Sequence, residues 1–185
     1  MLKPRDPIVL AEYPRELNYF QPDIWEIAET AIERYGLEEW TAIVLTCELH
    51  RHLGIYSILG AKMGIYAREI LNASLDDLRV ISYAGNKPPL SCFNDGLQVS
   101  TGASLGQGTI SVMEDKPAIE AVFMIEDHGI HLASNPDIAR QAADDIVNAL
   151  KRYGEMNKEY FDEIRRIALN YWRDLDRSNI FTVLD

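Results

Sequence analysis

Residues 53–72 read as a helix that carries glycines where a helix least tolerates them. Apolar side chains at Ile55, Ile58, Leu59, Ile65, Tyr66 and Ile70 follow a helical pattern, yet Gly54, Gly60 and Gly64 fall in the same stretch. Each glycine inside a helix costs about 1 kcal/mol relative to alanine. The usual reason to accept that cost is the close approach of another backbone or a ligand. Gly60-x-x-x-Gly64 has the spacing of a helix-crossing motif, and Lys62 and Arg68 exclude a lipid setting for it. The expectation is a tight helix–helix crossing, including one across a dimer.

The rest of the chain supplies strands in the middle and helices at both ends. Residues 1–21 form an irregular, tyrosine-rich lead-in punctuated by Pro4, Pro7 and Pro14. Pro22-Asp23 opens a helix that Gly36 caps. Trp40 to Cys47 is continuously apolar and suits either a buried strand or the buried start of a helix, which periodicity alone does not separate. Strands are expected at 78–84, 109–113, 118–125 and 129–133, with a short helical piece over 91–100 and a hairpin turn at Asp127-His128-Gly129. Ser134-Asn135-Pro136-Asp137 is a strong helix start, with a polar cap, proline in the first turn and an acid at the positive end of the dipole. A final helix carries Tyr160, Ile164, Ala168, Tyr171 and Trp172, and the apolar tail 181–184 is suited to dock. Trp25, Trp40 and Trp172 fall among helical apolar positions and read as core. The pattern is α+β: a small, mostly antiparallel sheet packed on the glycine-rich helix. The division expected is a core over 1–134 and a helical extension over 135–185.

Charge and cysteine usage exclude several function classes. A net charge of −11 and a pI near 4.8 disfavour general binding to nucleic acid or to anionic membranes. No stretch approaches the length of an apolar membrane span. The first residues break with proline and charge and so do not read as a signal peptide, which places the chain in the cytoplasm. Two cysteines, Cys47 and Cys92, are too few for a secreted disulfide scaffold or a four-cysteine finger.

Two short segments carry the chemistry. His50-Arg51-His52 is a pair of imidazoles at i and i+2, which point the same way from a strand or extended turn. Imidazole is the commonest side-chain metal ligand, although the pair alone is a weak signal and two polar residues ending an element would look the same. Cys92-Phe93-Asn94-Asp95 places a thiol and a carboxylate one helical turn apart on one face. A thiolate with two imidazoles suits zinc; Asp95 then serves as a further ligand or as the partner that orients a histidine. The glycine-rich segment from Thr101 to Gly108 offers backbone N–H groups to an anion, with Thr101, Gly102, Gly106 and Gly108 as the candidate cofactor-binding positions. It lacks a P-loop ending, and a tight structural turn is the favoured reading. His128 and His131 straddle the expected hairpin turn and are not expected to converge on a ligand.

These segments resemble the FmdE-like family, whose members are encoded with formylmethanofuran dehydrogenases. The first block, His50-Arg51-His52-Leu53-Gly54 followed by Gly60-Ala61-Lys62-Met63-Gly64, is similar to the family pattern H-G-H-x-C-P with G-x-R/K-M-G. The second runs from Cys92 and Asp95 through Gly96-Leu97-Gln98 to Thr101-Gly102-Ala103-Ser104 and Gly106-Gln107-Gly108, and matches C-x-x-D-A/G-I/L-Q-x-x-T-G-C-T-x-G-K-G. With the strands that follow, the likeness covers about residues 48–133. Three positions depart from the pattern: Gly54 and Ala103 stand where the family places cysteines, and Gln107 where it places lysine. The resemblance implies a divalent metal, zinc or alternatively iron, on His50, His52 and Cys92. It also implies an intertwined homodimer with close contact at the Gly60/Gly64 face, and an accessory or regulatory role beside a molybdenum or tungsten oxidoreductase of one-carbon metabolism. Two other readings remain open: a stand-alone metalloenzyme with Asp95 as catalytic base, and a structural dimeric adaptor with a vestigial site. A C-terminal zinc finger, found in some members, is excluded here because no cysteine follows Cys92.

Overall fold

A computed structural model describes residues 2 and 5–184. Helix α1 spans Pro22–His50, with Pro22 in its first turn, and is broken at Gly36, whose φ of 87° no ordinary side chain adopts readily. Gly36 thus ends one helical segment and the next begins at once. The ambiguous stretch 40–47 belongs to that second segment. Its apolarity is continuous because it is wedged among α2 (Ile55–Leu71), α3 (Phe93–Thr101) and α5 (Lys158–Asp174), so it buries more than one stripe.

Helices α2 and α3 explain the glycines. A Cβ on Gly60 would fall closer than 3.0 Å to the Phe93 carbonyl oxygen, and one on Gly96 would do the same to the Ser57 carbonyl oxygen and the Ala61 nitrogen. Gly64 is held as tightly against the Ser100 hydroxyl. The predicted crossing is therefore present, but its partner is α3 of the same chain. In this chain α3 fills the face where a contact across a dimer was also expected.

The sheet has five strands in the order β2-β1-β3-β4-β5: β1 Arg79–Ser82, β2 Ile110–Val112, β3 Glu120–Ile125, β4 His128–Ser134 and β5 Phe181–Leu184. Only the β1–β2 pair is parallel, so the sheet is mostly antiparallel and the fold is α+β. Val80, Ala121, Phe123 and Leu132 turn one face into the core. The β3–β4 hairpin turns at Glu126-Asp127, one residue ahead of expectation, because His128 already pairs with Ile125. The docking tail is β5, paired with β4 at Leu132 and Val183.

The C-terminal segment is woven into the core. Helices α4 (Pro136–Tyr153) and α5 pack together through a Tyr171–Asp145 hydrogen bond of 2.9 Å, and Trp172 stacks on Trp40 at 4.6 Å between centroids. Trp25, read as core, is 44% exposed and spends its indole N–H on the Phe20 carbonyl. Arg177, in the short helix α6 (Arg177–Ile180), binds Glu39 at 2.8 Å and Glu69 at 2.6 Å. The fully buried Lys62 meets the other Glu39 oxygen at 2.6 Å and lies 4.1 Å from the Tyr35 ring centre. This buried network ties α1, α2 and α6 together beside the Gly36 break. Among the described residues no helix is long and apolar enough to cross a membrane.

Candidate metal centre

His50 is the last residue of α1, not part of a strand or extended turn. Arg51 follows in the left-handed region at φ 69°, with its N–H closing the helix on the Cys47 carbonyl at 2.9 Å. That reversal folds His52 back, and the two imidazoles meet with centroids 4.1 Å apart. From the other side, a 3-10 turn at Leu90–Cys92 leads into α3 and delivers Cys92. The tight α2–α3 crossing fixes where α3, and hence Asp95, stands.

Asp95 binds the Nδ1 atom of His50 at 2.7 Å. This bond is the largest reason that the His50 imidazole is raised to about 9; the nearby Cys92 sulfur adds to it and burial opposes it. His52 is lowered, first by burial and then by the charge of His50. Nε2 of His50 is buried and makes no hydrogen bond, although the Cys92 sulfur is near enough to favour the charged imidazole. A carboxylate on one ring nitrogen and nothing on the other is the arrangement in which a metal-binding histidine is oriented by its neighbour. Asp95 stands where such a neighbour would stand.

His50, His52 and Cys92 line a common cleft of about 130 Å³. Its floor includes Gly54, Ile55 and Tyr56 at the start of α2, and one wall is Pro88-Pro89, joined by a cis peptide bond. The opposite wall comes from Ile146 of α4, Met156, and Tyr160, Phe161 and Ile164 of α5. His52 meets the edge of Phe161 at 5.4 Å. Sequence reasoning did not find these C-terminal contributors. Their amphipathic pattern announces an inner face but carries no sign of what that face covers.

The fit to a metal is good in donor type and incomplete in closure. The orphaned Nε2 sits at the cleft with a second imidazole and a thiol beside it, yet among the described residues no three His, Cys, Asp or Glu side chains converge as a ligand set. Gly54 sharpens the point. A Cβ built on it would stand 3.2 Å from Nε2 of His50, so the cysteine that the family pattern places there would enter the cleft. Ala103, at the other missing cysteine, is buried outside the cleft.

The remaining candidates lie elsewhere. None of Thr101, Gly102, Gly106 and Gly108 lines the cleft. The loop's N–H groups are largely used internally: Gly102 to the Gln98 carbonyl, Ala103 to Thr101 Oγ1, Leu105 to Gln98 Oε1 and Gly108 to the Leu105 carbonyl. Thr101 itself is fully buried and bonds the Leu97 carbonyl. Cys47 lies outside the cleft, and burial pushes its thiol up to about 12. His131 pairs with Glu120 at 2.6 Å on the sheet, while His128 is exposed.

Comparison with known families agrees with the motif reading and extends it. The sequence model of the FmdE family, described as "Molybdenum formylmethanofuran dehydrogenase operon", matches residues 49–182. No curated protein matches the chain. The match starts at the His50 segment and runs through α4, α5 and into β5, well past the motifs. The chain belongs to the FmdE family.

Proposed function

We propose that this chain is a metal-binding protein with an accessory or regulatory role in one-carbon or molybdenum/tungsten-enzyme metabolism. His50, His52 and Cys92 hold the ion, and Asp95 orients His50. One observation carries the reading: Nε2 of His50 is buried, without a partner, at a cleft shared with His52 and Cys92, while Nδ1 is taken by Asp95. Two imidazoles and a thiolate favour zinc, with iron the alternative. When bound, the ion would supply Lewis acidity at the cleft. The protein's own part is to hold His50 in one orientation and to exclude water with the aromatic wall. The role is proposed for a cytoplasmic homodimer beside a molybdenum or tungsten oxidoreductase.

A second reading, a stand-alone metalloenzyme acting on a small substrate, draws on Gly54. Glycine there leaves Nε2 without the thiol that the family pattern would set beside it, so one coordination position would lack a protein ligand. Asp95 is poorly placed as its base, because it lies outside the cleft lining and binds Nδ1 on the far side of the ring through one oxygen. Cobalt substitution tests the shared premise. A cobalt–thiolate absorption band that disappears in Cys92→Ser supports it; no cobalt uptake, or an unchanged spectrum in the variant, defeats it. Retention of a molybdopterin oxidoreductase on the immobilised homodimer then separates the accessory role from the enzyme.

A further inference from the structure

The cleft beside His50 is more selective than an ion alone requires. Apart from the His50, His52 and Cys92 edge, its surface is mostly hydrocarbon and aromatic: Ile55, Ile146, Ile164, Phe161, Pro88 and Pro89. No lysine, arginine, aspartate or glutamate lines it. Asp95, which bonds Nδ1 of His50, stands outside the lining. An anion entering would shed its water and meet only the His50 ring, whose charge Asp95 already offsets at 2.7 Å, whereas an uncharged apolar body would gain by leaving water.

Among the polar groups along this cleft, Nε2 of His50 is buried without a partner. The His50 side chain is 9% exposed, its Nδ1 is committed to Asp95, and its Nε2 is buried without a partner. Gly54 puts no side chain against that nitrogen; a methyl group there would be confined 3.2 Å from it and 3.0 Å from Ser57 Oγ. The cleft measures about 130 Å³. A closed cavity of about 150 Å³ lined by Leu, Ile and Phe in another protein takes up benzene, so this cleft, which opens to solvent, has room to seat a single small ring.

We propose that the cleft binds one small uncharged molecule, with an apolar body the size of a five- or six-membered ring and one heteroatom directed at the His50 edge. Tyr160 and Phe161 of α5, with Ile146 of α4, form the wall that selects it. The contact between the heteroatom and an ion rests on the reading of His50, His52 and Cys92 as ligands; selection of a neutral apolar body by the cleft does not.

Pyrazole and formate serve as probes on the full chain, in chelator-treated and zinc-loaded forms, followed through the methyl NMR signals of Ile55, Ile146 and Ile164. Pyrazole is expected to shift these signals saturably in both forms, with a Kd on the order of 1 mM or tighter, and about tenfold more tightly with zinc. Formate is expected not to compete in the chelator-treated form. No saturable shift in either form, or formate binding as tightly as pyrazole without metal, overturns the proposal. Equal pyrazole affinity in the two forms upholds the cleft and removes the ion from it, so the two readings fail separately. Met156→Trp, at the exposed rim, is expected to weaken pyrazole about tenfold without changing zinc content. Unchanged affinity in that variant overturns the assignment.

Discussion

Gly96→Ala tests the crossing that sets the geometry of the site. The added Cβ would fall inside 3.0 Å of the Ser57 carbonyl oxygen, the Ala61 nitrogen and the Gly60 carbonyl carbon. All three atoms are α2 backbone, so no rotamer change relieves the contact and the two helices must move apart. Overpacking costs about 1–3 kcal/mol, and a backbone-on-backbone clash belongs at the upper end. Alanine's better helix propensity offsets about 1 kcal/mol of that. The net loss is about 2 kcal/mol, which lowers Tm by about 4–8 °C for a chain of this size. Gly106→Ala is the control. Its Cβ would meet nothing nearer than Ser104 Oγ at 4.0 Å on an exposed loop, and its stability should stay within about 0.5 kcal/mol of the parent. Differential scanning calorimetry reads both. Because α3 carries Asp95, Gly96→Ala should also loosen the His50–Asp95 bond, visible in the His50 ring nitrogen shifts. A Gly96→Ala protein as stable as the parent would refute backbone contact between α2 and α3.

Three further outcomes are expected. Asp95→Asn should bring the His50 imidazole down from about 9 toward its ordinary range in chelator-treated protein, followed by NMR titration. A group raised in the fold stabilises it fully below its unfolded value, about 6.5, and loses that contribution as pH rises through about 9. The stability gap between parent and Asp95→Asn should therefore narrow over that window, and a gap that widens contradicts the pairing. Glu39→Gln strips the fully buried Lys62 of its carboxylate and should cost about 3–5 kcal/mol in chemical denaturation; adding Lys62→Met should recover much of it, and simple additivity would argue against the network. Cys47, its thiol raised to about 12 by burial, should resist iodoacetamide while Cys92 reacts and zinc protects it; peptide mapping that finds Cys47 labelled as fast as Cys92 would contradict the assignment.

Much of the architecture was legible because it is local. The glycines of α2 announced a backbone approach, the Asn135-Pro136 start announced α4, and the strands 79–82 and 120–125 fell where β-branched runs predicted them. What escaped was set by long-range placement. The partner of the Gly60/Gly64 face is α3, a choice that no pattern within α2 encodes. The stretch 40–47 looked equally strand-like because burial on several sides erases the helical stripe. At the site, Cys92-x-x-Asp95 and His50-x-His52 were readable as pairs, and the division of labour between them was not. It depends on the left-handed turn at Arg51, which brings the imidazoles together, and on the depth of α3 against α2, which brings Asp95 to Nδ1. The wall formed by Tyr160 and Phe161 lies more than a hundred residues from His50 and had no signature beyond amphipathicity.

Elemental analysis of protein purified without a His-tag tests most directly whether His50, His52 and Cys92 form a metal site. About one zinc per chain is expected in the parent, with loss of the metal and retention of the fold in His50→Ala/Cys92→Ser. Metal-free protein in every preparation, or the same zinc content in the double variant, would contradict it.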